Sequence, residues 1–126
     1  MRHRILSIVI LVTVCRPAFT VADEGVVFFE KKIRPVLIKH CYQCHSADAA
    51  RKQKLKGQLQ LDTREGVKLG GESGRVVVSG KPSQSTLISA LKHNDFEMPP
   101  GKKLPDTVIR DFEPVSYTHL TLPTSG

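Results

Sequence analysis

The run Cys41-Tyr42-Gln43-Cys44-His45 constrains this chain more than any other stretch. Two thiols three positions apart can each add to one vinyl group of the same porphyrin. The histidine directly after them is carried under the ring, where its imidazole can bind iron from the proximal side. Cys-x-x-Cys-His is thus the signature of covalent c-type haem attachment, with one haem c expected on Cys41 and Cys44 and His45 as proximal ligand. Two other readings share the paired thiols. A redox-active pair normally follows a buried strand, whereas a charged helical segment precedes this one. A zinc site needs four ligands, and His40, His45 or His93 would have to complete it.

The N-terminus bears on the same choice. Met1-Arg2-His3-Arg4 is basic, Ile5 to Val14 is an unbroken run of apolar residues and small hydroxyls, and Thr20-Val21-Ala22 offers small residues before Asp23. Residues 1–22 read as a secretory signal peptide with cleavage expected after Ala22. The apolar run is short for a bilayer span, so no membrane span is expected after cleavage. Cys15 falls inside this segment and leaves with it; Val14 before it is bulkier than a lipidation site usually allows. Export, with the periplasm as the expected compartment, is what haem attachment requires, because c-type cytochromes are assembled outside the cytoplasm.

At the other end, Val115–Gly126 breaks the charge pattern and continues no helix or strand period. Val115 to Thr124 resembles translated sequencing-adapter read-through, so residues 114–126 are set aside as a non-native tail, and the native part is expected to be C-terminally truncated. Residues 23–113 remain as one domain, small enough for its apolar core to be marginal without a buried cofactor. Removing Arg2, Arg4 and Arg16 from 19 basic residues leaves 16 against 12 acidic ones, a net charge of +4. That balance excludes a nucleic-acid-binding role. Arg51, Lys52, Lys54 and Lys56 cluster without interleaved aromatics, as a solvated loop does, with docking of an acidic redox partner as the second reading.

The pattern predicts helices. Asp23 can cap a helix over Val26 to His40, whose Val26, Phe29, Ile33 and Leu37 share one face. Glu30 and Arg34 make an i,i+4 pair on it. Pro35 is in conflict with that helix, since a mid-helix proline kinks or interrupts the ladder. Lys56 to Asp62 alternates apolar and polar residues as a short extended stretch would. Asp62 or Thr63 can cap a brief helix that stops at Gly70-Gly71. Pro82 suits the first turn of a helix to about His93, with Leu87, Ile88 and Leu91 in one stripe. A last helix begins near Pro105 and carries Val108, Ile109 and Phe112. Between these two helices, Met98 precedes Pro99-Pro100. A thioether held in a stiff loop is the expected distal iron ligand, with His93 as its competitor.

Taken in order, these residues resemble the planctomycete-type cytochrome c domain, found in large secreted multidomain proteins. The resemblance is carried by Phe29 to Leu37 leading into the haem motif, then Lys56-Gly57, Leu59, Leu61-Asp62, Gly70-Gly71-Glu72-Ser73-Gly74 and Gly80-Lys81-Pro82-Ser83. Ser85, Met98-Pro99-Pro100 and Leu104-Pro105-Asp106 complete it. It implies a mostly α, small cytochrome c-like helical domain wrapped around one covalently attached haem. It also makes Pro35 expected, and it implies attachment at Cys41 and Cys44, proximal ligation by His45 and distal ligation by Met98. The function expected is single-electron carriage by Fe(II)/Fe(III) cycling within a larger exported protein, with no catalysis by the domain itself. Its partners would be the cytochrome c maturation machinery and a redox partner protein or a downstream domain of the same chain. The alternatives are a gas or redox sensor or a peroxidase-like centre with an open distal site, and a zinc-stabilised interaction module.

Overall fold

A computed structural model describes residues 13–15 and 21–114 of the chain. Most of the expected signal peptide, and the tail from residue 115 onward, lie outside these described residues. Helix α1 (Val21–Phe28), a π-helical turn (Phe29–Ile33) and α2 (Arg34–His40) follow one another without a break. This is longer than the expected Val26–His40, and Asp23 lies within α1 rather than at its cap. The boundary expected after Ala22 falls just inside the same helix.

The π turn settles the conflict over Pro35. Proline lacks the N–H and its ring crowds the carbonyl four residues back. Ahead of it the ladder widens, so that the Arg34 N–H reaches the Phe29 carbonyl five residues back. Pro35 then stands at the start of α2, directly after the widened turn, where its missing N–H and its ring meet the loosened part of the ladder. Arg34 also holds Glu30 through two hydrogen bonds of 2.8 and 2.9 Å. Phe29, Ile33 and Leu37 are all buried, as the one-face stripe predicts.

After the haem motif come α3 (Ala47–Arg51), α4 (Arg64–Leu69), a 3₁₀ turn (Pro82–Gln84), α5 (Thr86–Leu91) and α6 (Asp106–Phe112). Helix α6 packs on the π turn and on α5. Its Ile109 and Phe112 join Ile33, Ile88 and Leu91 in the buried cluster. The fold is thus helical, and no strand occurs among the described residues; one isolated bridge pairs Gly71 with Gly74. None of the described helices is long and apolar enough to cross a membrane.

Two expectations are corrected in detail and one is resolved between its alternatives. Lys56 to Asp62 is not one extended stretch: it turns at Gly57 and Gln58, with φ of 59° and 50°, and the Lys56 and Leu61 N–H groups bond to the carbonyls of Cys44 and His45. The cap of α4 is Thr63, whose hydroxyl accepts the Gly66 N–H at 3.0 Å. The helix expected from Pro82 to His93 divides at Ser85 into the 3₁₀ turn and α5, and it ends where His93 adopts a left-handed φ of 59°.

Ser85 accounts for that division. Only 1 % exposed, its hydroxyl accepts the Val78 N–H at 2.9 Å and lies 3.1 Å from the Lys81 carbonyl, to which it donates. Ser85→Ala leaves a sequestered donor without its partner, which costs about 1–3 kcal/mol. The expected fall in Tm of the haem-loaded protein is about 4–8 °C per kcal/mol. A melting curve superposable on the unaltered protein's would show that this staple contributes nothing.

Candidate functional site

Helix α2 delivers the Cys-x-x-Cys-His run directly from its last turn. The Cys41 and Tyr42 amides still bond to the Leu37 carbonyl, and the His45 amide reaches back to that of Cys41 at 2.9 Å. This near-helical winding puts Cys41 and Cys44 on one side, as residues three apart must be. Ser46 ends the turn by capping α3: its hydroxyl accepts the Ala49 N–H and donates to the Tyr42 carbonyl.

The motif opens on a cavity of about 220 Å³. Cys41, Cys44 and His45 form one part of its lining, and Met98 with Pro99 and Pro100 forms another. Leu59, Leu61, Val76, Leu87 and Leu91 supply apolar wall, with Phe96 beside Met98. All four residues expected to hold the cofactor therefore line one cavity, although 53 positions separate His45 from Met98 in the chain. The Met98 amide is anchored to the Ala90 carbonyl of α5 at 3.2 Å. His93 is not part of the lining; its Nε2 is buried and has no hydrogen-bond partner. His40, weighed in the sequence only for zinc, does line the cavity.

Two loops meet at one edge of this cavity. The Glu72 N–H bonds to the Gly57 carbonyl at 2.8 Å, and a Cβ on Gly71 would collide with that same carbonyl oxygen. Gly71 therefore owes its place to the close approach of two backbones.

The donor set can be tested against the candidate groups. Among the described residues no group of three or more His, Cys, Asp or Glu side chains is placed to hold a metal ion, so the zinc reading finds no ligand set there. Cys41 and Cys44 are free thiols. Two thiols, an imidazole and a thioether around apolar walls match a porphyrin iron, which needs hydrophobic contact over its faces and two axial donors. The His45 Nδ1 is sealed from solvent and unpartnered, so Nε2 is the nitrogen that could meet iron from the cavity.

The two thiols differ. Cys41 is 8 % exposed, and burial pushes its pKa up to about 11. Cys44 is half-buried. In folded haem-free protein at pH 8, Cys41 is thiolate in only about one molecule in a thousand. Alkylation is thus expected at Cys44 long before Cys41, with the Cys41 rate rising about tenfold per pH unit towards pH 11. Peptide mapping after timed alkylation reads both rates, and equal rates would mean that Cys41 is not buried without the cofactor.

Sequence reasoning missed most of the wall. Leu59 and Leu61 carried only a strand-like alternation, and Phe96 was passed over although it stands two residues before Met98. Comparison with known families matches residues 41–102 to the family described as Planctomycete cytochrome C. No curated protein and no solved structure matches the chain.

Proposed function

Since residues 41–102 belong to the planctomycete cytochrome c family, whose haem-binding character points to electron transfer rather than catalysis, we propose that this domain holds one haem c and passes single electrons. The observation that carries the reading is the convergence of Cys41, Cys44, His45 and Met98 on one apolar cavity. When bound, the haem supplies a one-electron iron couple.

The roles of the chain's own groups follow. Cys41 and Cys44 would hold the group, each thiol S–H adding across one vinyl so that sulfur and hydrogen go to its two carbons and nothing leaves. His45 presents Nε2 from the proximal side. Met98 presents its thioether from the Pro99-Pro100 loop, and a sulfur ligand favours ferrous iron. Leu59, Leu61, Val76, Leu87 and Leu91 exclude water, which further disfavours the more highly charged oxidised state.

With His45 and Met98 both serving as donors, the site would leave no iron position open to a substrate, which supports a carrier over a catalyst. The signal-like N-terminus supports an exported, periplasmic setting. There the partner would be a redox protein or another domain of the same chain, after attachment by the cytochrome c maturation machinery.

The experiment is an optical redox titration of protein co-expressed with a maturation system. A low-spin spectrum that follows a one-electron Nernst curve is expected. Correctly exported, folded protein without covalent haem would overturn the proposal. A high-spin spectrum insensitive to Met98 substitution would replace the carrier with an open-site sensor or catalyst.

A further inference from the structure

An axial histidine is usually oriented by an acceptor for its second ring N–H. Here the Nδ1 of His45 is buried and finds no partner among the described residues. The imidazole must therefore be aimed through its main chain. Two successive residues, Leu61 and Asp62, grip the main chain where it leaves His45. The Leu61 N–H donates to the His45 carbonyl at 2.9 Å. The Asp62 carboxylate accepts the Ala47 N–H with both oxygens, each at 3.0 Å. Ala47 opens α3, and its amide is one of the first-turn donors that no helical carbonyl can serve. Leu61 is itself buried and lines the cavity, so the segment that grips the backbone is also the wall beside the ligand.

We infer that Asp62 is the positioning residue for His45: by fixing the Ala47 amide, together with Leu61 on the His45 carbonyl, it sets how firmly the imidazole meets iron. This inference rests on the proposed haem site. A charged acceptor makes the grip strong, since hydrogen bonds to an ionised carboxylate exceed neutral ones by about twofold. It also spans 15 positions of sequence, tying the exit of the haem motif to the loop that walls the cavity. A cap serving only the helix would need no partner from so far away, and Ser46 already caps α3 locally through the Ala49 N–H.

The test uses the haem-loaded protein in a Met98→Ala background. Photolysis of carbon monoxide bound to the ferrous form leaves iron held by the proximal imidazole, and the iron–imidazole stretching band reports strain on that bond. Asp62→Ala is expected to move the band to lower frequency and to speed hydrogen exchange at the Ala47 amide. Asp62→Asn keeps one oxygen for that amide and is expected to restore the band. Thr63→Ala removes the neighbouring cap of α4, so it should lower Tm without moving the band.

Should Asp62→Ala fail to retain haem, Asp62→Glu carries the test, because it displaces the carboxylate by one methylene; the same shift is expected. An unshifted band in whichever of these variants holds haem, or an equal shift in Thr63→Ala, overturns the inference while leaving the haem site intact. Absence of covalent haem in the parent protein overturns the site itself, so the two failures are separable.

Discussion

Alanine at both Cys41 and Cys44 is expected to abolish haem that survives denaturation, whereas either single variant is expected to keep it on the chain. A covalent link holds the porphyrin beside its site at about millimolar effective concentration. A site of about micromolar intrinsic affinity then stays filled by roughly a thousand to one, while without any link the same site is half empty at micromolar protein. What remains in the double variant is axial bonding and the walls formed by Leu59, Leu61, Val76, Leu87 and Leu91.

The two singles are not equivalent. Cys41 belongs to the buried cluster with Phe29, Ile33 and Leu37, whereas Cys44 is half-buried. Cys41→Ala therefore removes a core sulfur as well as a thioether, and its haem-loaded protein is expected to melt below the Cys44→Ala protein. The measurement is haem stain on a denaturing gel, followed by transfer of haem to an excess of a high-affinity scavenger. Stain retained by the double variant would sink the thioether assignment.

How far the sequence speaks depends on which kind of force each feature uses. The stripe Phe29, Ile33 and Leu37 was legible because burial of one helix face leaves a period in the residue types. Pro35 was legible only as a prohibition. Nothing in residue identity says that a π turn at Phe29–Ile33 would accommodate it, since a widened turn is made of backbone bonds that every residue can form. Cys41, Cys44, His45 and Met98 stood out by their chemistry, and the fold brings them to one cavity.

The brace around His45 was not legible. Lys56 and Leu61 act through their N–H groups, which carry no side-chain signature. Asp62 and Thr63 look alike as adjacent caps, yet Thr63 serves the helix next to it while Asp62 reaches back to Ala47. Local rules rank both equally; only the long-range path of the chain distinguishes them. His93 shows the converse. Its residue type made it a candidate ligand, but its left-handed backbone at the end of α5 leaves it out of the cavity lining.

Met98→Leu is expected to erase the weak far-red sulfur-to-iron band and lower the reduction potential, while leaving the covalent haem in place. Leucine keeps nearly the volume of methionine and costs less than about 1.5 kcal/mol in packing, so it separates ligation from filling. The fall should be on the order of a hundred millivolts, a modest part of the roughly 0.8 V over which axial ligands tune haem iron. The sign follows from the donor: thioether sulfur stabilises ferrous iron, so its loss favours the ferric state. The Met98 backbone is held to Ala90, and the prolines behind it restrict the loop, so the substitution should change the ligand without refolding the segment. His93→Ala should leave both band and potential unchanged. A band that survives Met98→Leu but disappears in His93→Ala would assign the distal ligand to His93. A haem-loaded protein without the band from the start, and indifferent to Met98→Leu, would mean that the distal side is open, and the carrier reading would then give way to the sensor.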